Sequence, residues 1–185
     1  MNETNPASAM WERSEAELRA SFYDFPNIPL HKYLGITFER EDPMGPAICT
    51  LPASPEFLWP DGRHSEAAIY TIGEVSGGVA VSDAVVPTAV KMGLRPVVLT
   101  KSADFRPLAP AYGWIRGTCE VVGDYDAAIE RMNKRKKADL DIGVEIHDEH
   151  GTLVGESVLH YYVRLMDSSR LQTMAAMAPG MAGFA

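Results

Sequence analysis

One acidic residue, Glu74, stands alone in an apolar stretch of the sequence and is followed by two glycines. From 67 to 82 the chain carries no other charged residue, and Gly77 and Gly78 lie three and four positions after Glu74. Two adjacent glycines weaken a helix by roughly 1 kcal/mol each relative to alanine, but they let another group approach the backbone closely. A carboxylate beside such a notch suits general-base or nucleophilic chemistry. The alternative is an acid at the edge of a buried helix face, with glycines that serve only helix packing.

The element that must position Glu74 is a helix. Apolar residues recur at three and four positions and therefore share one stripe, namely Ala68, Ile72, Val75 and Val79. Ser65 is a suitable N-cap, and Glu66 lies in the first turn, where the helix dipole favours an anion. Pro87 lacks an N–H group and is expected to end this helix, which is predicted over 66–84. A short second helix is predicted to begin at Pro87 and to end before Gly93.

The rest of the chain indicates an antiparallel sheet. Period-two alternation or β-branched content predicts strands at 31–42, 46–51, 96–108, 112–124, 139–147 and 153–166. A polar helix is predicted over 124–137, and the strands 96–108 and 112–124 are expected to form a hairpin. One long helix must bury its stripe against one face of this sheet. The predicted fold is therefore α+β, with a curved antiparallel sheet wrapped around one central helix.

Composition limits the class of protein. The 185 residues, 46% of them hydrophobic, suit one main domain, predicted over 31–166. It is preceded by an extension over 1–30 with a short helix at 14–22, and followed by a tail over 167–185. The formal net charge of −8 argues against nucleic-acid binding. The sequence shows no signal peptide, membrane-length apolar run or metal-ligand spacing, and Cys49 and Cys119 suit free thiols. We expect a cytoplasmic protein without a bound metal.

Four further residues are candidates for substrate contact. Trp59, in an apolar-aromatic loop before the helix, could line a pocket or cover the edge of the core. Arg106 could bind a phosphate or lie with its stem along the sheet edge. Lys134 and Arg135 belong to a basic run, 133–137, that could hold the phosphates of a nucleotide. The same run is equally typical of a solvated helix C-terminus.

The order of elements and three segments resemble the hotdog-fold thioesterases, especially the phenylacetate-pathway type that cleaves acyl-CoA. The first segment, TIGEVSGGVA, is similar to the central-helix signature of that family, in which an acid stands at the place of Glu74. The second, ADFRPLAPAYGWIRGTCEVV, is similar to its strand, Arg-Pro and strand segment. The third, LDIGVEIHDEHGTLVGESVLHYYV, is similar to its closing hairpin. The resemblance covers about residues 34 to 166.

This resemblance implies an acyl-CoA thioester as substrate, no cofactor, and a homodimer or dimer of dimers with active sites between protomers. Glu74 would act as base or nucleophile. Backbone N–H groups near Glu66 and Ala67 would hold the carbonyl oxygen, since a helix N-terminus presents unpaired donors. The family often has His-Gly-Gly at the helix start; this chain has Ser65-Glu66-Ala67, with His64 one place earlier. His64, Ser65 and the two glycines after Glu74 would contact the substrate.

Two other functions are compatible with the sequence. A hotdog dehydratase or hydratase would use His64 and Glu74 as a pair on an acyl thioester, although the Pro-Gly turn usual before its helix acid is missing. A non-catalytic module that binds acyl-CoA is favoured by the absence of His-Gly-Gly. Acyl-chain identity is not predicted, because it depends on the depth of a pocket.

Overall fold

A computed structural model describes residues 24–40 and 47–167. Within these ranges the helices are α1 (Pro29–Leu34), α2 (Glu66–Lys91) and α3 (Tyr125–Arg135), and the strands are β1 (Thr37–Glu39), β2 (Ile48–Leu51), β3 (Arg95–Pro107), β4 (Ile115–Val122), β5 (Lys137–Asp148) and β6 (Leu153–Met166). The predicted short helix at 14–22 and the tail after 167 lie outside the described residues.

The six strands form one sheet in the order β1-β2-β4-β5-β6-β3, and all neighbours are antiparallel. The predicted hairpin between 96–108 and 112–124 is wrong. β3 pairs with β6 along its whole length, whereas β4 pairs with β2 and β5. The intervening loop does not turn back tightly, because it is tied to the start of α2: the His64 N–H donates to the Ala111 carbonyl at 2.9 Å.

The central helix α2 continues past residue 84, where the sequence predicted its end. The predicted second helix from Pro87 is part of the same helix. Its N-cap is Ser65, as predicted, with the side chain accepting from the Ala68 N–H, and Gly93 follows the C-cap with a φ of 65°. Pro87 lies inside the helix. An interior proline costs about 3 kcal/mol, and the buried side chains on both sides of it, Val86 and Thr88 among them, offset this cost.

The concave face of the sheet wraps α2. Buried residues of the helix stripe, such as Ile72 and Val79, pack with the inward residues of β5 and β6, such as Ile142 and Leu159. By length and composition α2 could cross a membrane, whereas the sequence was expected to hold no run of that kind; 61% of its apolar window is buried inside the protein. The predicted fold, a sheet wrapped around one long helix, is confirmed.

The segment assigned to a strand over 31–42 is helical in its first part. Pro29 stands in the first turn of α1, where its missing N–H costs nothing, and Gly35 caps the helix with a φ of 69°. His31 and Leu34 are buried one turn apart. The strand begins only at Thr37. In contrast, the polar helix after Asp124 is confirmed as α3.

Candidate active site

Glu74 lies on the side of α2 that faces the edge strand β3. One turn earlier on the same side, the Tyr70 ring packs edge-on against Phe105 of β3, with centroids 5.5 Å apart. Glu74 is half-buried, and no described residue forms a hydrogen bond or ion pair with it. Burial raises the pKa of its carboxyl, while the nearby His31 lowers it. An unpaired carboxylate with a raised pKa suits a base that works near neutral pH.

Tyr161 of β6 lies beneath this position. Its side chain is buried, and its hydroxyl lies 3.1 Å from the point where a Cβ on Gly77 would stand. Burial, and then the negative charge of Glu74, raise the pKa of Tyr161. A phenol held neutral beside a carboxylate provides a hydrogen-bond donor in a largely apolar setting.

The two glycines after Glu74 have different neighbours. A Cβ on Gly77 would overlap the Leu159 side chain, so this glycine lets the helix approach the sheet closely. Gly78 is turned away from the sheet, and the Phe25 ring comes within 3.7 Å of its Cβ position. Gly77 therefore serves helix–sheet packing, and its predicted contact with substrate stays a prediction. Gly78 faces the segment that precedes α1.

The first turn of α2 offers unpaired backbone donors. Among the described residues, no acceptor bonds the N–H group of Glu66 or of Ala67, and both residues are exposed. The Glu66 carboxylate is turned toward the Arg63 guanidinium, 3.5 Å away. This pairing partly offsets the negative charge that Glu66 places near the helix N-terminus. The N-cap Ser65 uses its hydroxyl oxygen on the Ala68 N–H, at 3.3 Å.

His64 is a buried histidine that fastens the loop before β4. Its Nε2–H donates to the Gly113 carbonyl at 2.7 Å, and its Nδ1 is buried without a partner among the described residues. His64 stands two residues before the helix, and Glu74 is eight residues, or about 12 Å of axial rise, beyond the first helical residue Glu66. Within one protomer the two side chains therefore cannot form the acid–base pair that the hydratase hypothesis requires.

The structure brings only some of the remaining candidates near α2. Trp59 is 45% exposed in the loop before the helix, and its ring lies 5.7 Å from the Arg63 guanidinium carbon. Arg106 lies near the end of β3, paired with Glu156 of β6 at 2.5 Å. The preceding residue, Phe105, packs against Tyr70 and therefore faces the helix. Because neighbouring residues of a strand alternate, Arg106 and its partner Glu156 lie on the opposite face of the sheet.

The basic run at the end of α3 lies at the far end of the central helix. Lys134 forms an exposed ion pair with Glu130, and Arg135 is also exposed. The Lys136 ammonium is 3.5 Å from the Met92 sulfur at the C-cap of α2. Met92 is eighteen residues beyond Glu74, or about 27 Å of helix. Within one protomer the basic run therefore lies about five turns of helix beyond Glu74, and its predicted contact with substrate phosphates stays a prediction.

Sequence reasoning missed His31. The alternation around Ile36 and Phe38 placed it in a strand, and nothing in the local pattern linked it to a helix forty residues later. The bracket formed by Pro29 and Gly35 was the signal that could have identified α1. Its buried position beside α2 depends on long-range packing.

Comparison with known proteins supports the fold. No protein-family profile matches the chain, and no curated protein matches it. Among solved structures, it is similar to a protein of unknown function from Pseudomonas aeruginosa described as a probable thioesterase, at 20% identity and a TM-score of 0.58, covering 82% of this chain and 93% of that one. It is also similar to a Shewanella oneidensis protein related to the thioesterase superfamily, at 18% identity and a TM-score of 0.61. That match covers 85% of this chain and 98% of the Shewanella protein.

The E. coli PaaI protein from the phenylacetic acid degradation operon is a further structural neighbour. Its identity is 15% and its TM-score 0.54, and the match covers 80% of this chain and 91% of that one. Identities this low establish architecture and leave chemistry to the site itself. The sheet order, the wrapped helix and these neighbours together show that the chain has the hotdog fold seen in thioesterase-superfamily structures.

Proposed function

We propose that this protein is an acyl-CoA thioesterase in which Glu74 is the base or the nucleophile. The observation that carries the proposal is the state of its carboxyl group. It is half-buried on the central helix, its pKa is raised by burial, and no described residue neutralises it through an ion pair. An acid that is costly to bury and has no structural partner is a candidate for chemistry.

In the base mechanism, Glu74 takes a proton from a water molecule as the water oxygen attacks the thioester carbonyl. The tetrahedral intermediate collapses with cleavage of the C–S bond, and the thiolate leaves as free CoA after protonation. In the nucleophile mechanism, a Glu74 oxygen attacks the thioester carbonyl, the C–S bond breaks and the CoA thiolate leaves to be protonated, and water then hydrolyses the resulting anhydride to the free acid and the Glu74 carboxylate. After a single turnover in ¹⁸O-water, ¹⁸O in the Glu74 carboxyl group identifies the nucleophile mechanism, because that label enters only when water attacks the Glu74 carbonyl of an anhydride.

The proposed site for the carbonyl oxygen is the first turn of α2. The N–H groups of Glu66 and Ala67 have no acceptor among the described residues and lie at the positive end of the helix dipole. About eight residues of helix, or roughly 12 Å, separate them from Glu74. One protomer therefore supplies the donors and another the carboxylate, which is consistent with a site between subunits.

The edge strand β3 is the surface we propose for the dimer. Its thirteen residues pair only with β6 among the described strands. A long edge presents unpaired backbone groups and favours pairing with another chain. Edge-to-edge pairing would bring the Glu74 side of both helices toward the shared boundary. Light scattering after size exclusion should give at least twice the 20.2 kDa chain mass; a monomer would contradict a shared site.

Turnover is tested with a panel of acyl-CoAs in which free thiol release is followed. Wild-type protein should release thiol, and Glu74→Gln should not, with the same oligomeric mass. The matched control is Glu145→Gln, because Glu145 is an exposed acid on β5. Release that persists in Glu74→Gln would overturn the proposal. Binding without release would indicate a binding module, and loss of enoyl-CoA absorbance would indicate a hydratase.

A further inference from the structure

Three basic side chains converge on a cleft at the point where α3 passes into β5. Arg131 and Arg135 are four residues apart and therefore share one face of α3, and both line the cleft. Lys137, the first residue of β5, and Tyr162 of β6 complete its walls. The cleft has a volume of about 190 Å³. These four residues are called the basic cleft below.

The turn between α3 and β5 brings these charges together. Lys136, the C-cap of α3, has a left-handed backbone with a φ of 59°, a conformation that glycine and asparagine adopt more readily than lysine does. The chain therefore turns sharply, and Lys137 begins a strand beside the helix that has just ended. Arg164 of β6 pairs in register with Lys137 and adds a fourth positive charge next to the cleft.

No acid neutralises the three cations that line the basic cleft. Within the ranges that the structure describes, their side chains form no ion pair or hydrogen bond. Asp139 also lines the cleft, but its carboxylate pairs with the Lys101 ammonium at 3.0 Å. Glu130 of α3 pairs with Lys134. Because like charges four residues apart on a helix repel each other, an anion from solution would stabilise this arrangement.

The helix dipole accounts for only part of this cluster. Cations are favoured in the last turn of a helix, which here contains Lys134 and Arg135. Arg131 lies one turn earlier and Lys137 belongs to the strand, yet both line the same cleft. The chain as a whole has a formal net charge of −8. Unpaired positive charge gathered in one concave place on such a protein indicates a ligand of opposite sign.

The basic cleft lies on the outer face of the sheet. Tyr161 is buried against α2 at Gly77, so the next residue, Tyr162, points to the opposite face. Arg164, two residues further along β6, shares that outer face with its partner Lys137. The sheet therefore lies between the basic cleft and the helix that carries the candidate carboxylate.

Charge and size indicate the class of ligand. Guanidinium groups bind phosphate through paired N–H donors. Two arginines and a lysine match the charge of a phosphate monoester, about −1.5 to −2, or of a diphosphate better than that of a single carboxylate. The cleft is smaller than the roughly 300–1,000 Å³ of pockets that enclose whole drug-sized ligands. It therefore suits a phosphate group whose organic remainder stays outside.

We propose that the basic cleft binds the phosphate or diphosphate group of a small phosphorylated ligand. Arg131 and Arg135 donate to the phosphate oxygens from the helix side, and Lys137 supplies a third charge from the strand. This site goes beyond the proposed function and does not depend on it, because no residue of the Glu74 site lines the basic cleft.

The test is calorimetric titration of the full chain with pyrophosphate at low ionic strength. Saturable binding is expected, and it should weaken as NaCl is added. Arg131→Gln and Arg135→Gln should each weaken binding about tenfold or more, because each removes a charge-assisted hydrogen bond. Lys134→Gln is the matched control: it removes the same charge from the same helix, but Lys134 does not line the cleft. Lys137→Gln is the second variant if circular dichroism shows that an arginine variant does not fold.

Two results would overturn the proposal: absence of saturable binding by wild type, or equal weakening by Lys134→Gln and the arginine variants, which would indicate diffuse charge attraction. Glu74→Gln should bind pyrophosphate as wild type does, and loss of binding there would overturn a separate site. The titration contains no thioester, so failure of the proposed hydrolysis leaves its result unchanged.

The source of the phosphate group is distinguished by a second titration with adenosine diphosphate. Tighter binding of adenosine diphosphate than of pyrophosphate would assign the site to a nucleotide, and equal binding would assign it to the diphosphate group alone. Either result supports the basic cleft as a phosphate site, provided that Arg131→Gln weakens it and Lys134→Gln does not.

Discussion

The backbone of Gly77 lies directly against the side chain of Leu159, so closely that a Cβ at Gly77 would overlap it. This contact sets how deeply the central helix enters the sheet, and hence the height of Glu74 above Tyr161. One turn earlier, a Cβ on Gly73 would lie 3.1 Å from the Ile146 side chain, which is a close contact but not an overlap. The glycine pair that follows Glu74 in the sequence thus contains, at Gly77, a position where the helix packs closely against the sheet.

The two glycines of the pair should differ in their tolerance of alanine. Gly77→Ala forces Leu159 or the helix to move and should lower the free energy of unfolding by about 1–3 kcal/mol. Gly78→Ala meets only ordinary contact with Phe25 and should be neutral or stabilising by up to about 1 kcal/mol. Urea denaturation of both variants measures the difference. Equal stabilities would contradict the close helix–sheet contact.

Replacement of Glu74 by glutamine should stabilise the fold while removing activity. Burial raises the pKa of Glu74, so the folded state disfavours its ionisation. The native state loses stability as pH rises through that folded pKa, and the amide of the glutamine variant cannot ionise. Glu74→Gln should therefore have a higher melting temperature than wild type at neutral pH. The difference in melting temperature between the two proteins should disappear below the ordinary glutamate pKa of 4.5. A difference that does not depend on pH would count against this account.

Removal of one backbone donor at the helix start should slow hydrolysis without unfolding the protein. Proline is well tolerated at the first helical position, and Ser65 already has the extended backbone that precedes proline, with a ψ of 151°. Glu66→Pro deletes the N–H group, whereas the control Glu66→Ala deletes only the side chain. We expect the proline variant alone to lose about 10²–10³ in kcat if this N–H holds the oxyanion. Equal rates in the two variants would exclude that donor.

The outer face of the sheet carries a histidine that links three strands. His160 of β6 bonds Asp141 of β5 at 2.9 Å and Asp104 of β3 at 3.2 Å. These hydrogen bonds raise the pKa of His160 above its ordinary 6.5. The stabilisation is complete below about pH 6.5 and is lost as pH rises through the folded pKa. The melting temperature of wild type should fall as the pH rises through this range, whereas that of His160→Gln should change less.

Local residue types predicted most of the elements. Ser65 and Gly93 bracket the central helix as their chemistry requires, and Asp124 caps α3 through the Ala127 N–H. The strict alternation from Leu140 to Ile146 predicted the central strand β5. These features depend on capping and on side-chain period, which are properties of short segments, and so they were visible without a structure.

Partners distant in the sequence were decided by packing. The neighbour of β3 is β6 because the loop after β3 is fastened to His64 and not closed into a turn. Pro87 is accommodated because the residues immediately before and after it, Val86 and Thr88, are buried in the core.

The sequence by itself determined a lone acid on an apolar helix and a sheet able to wrap it. Only the tertiary structure placed His31 over that helix and the basic run at its far end. A residue type limits the chemistry that is available, but the distance between two groups depends on how the whole chain buries its apolar surface.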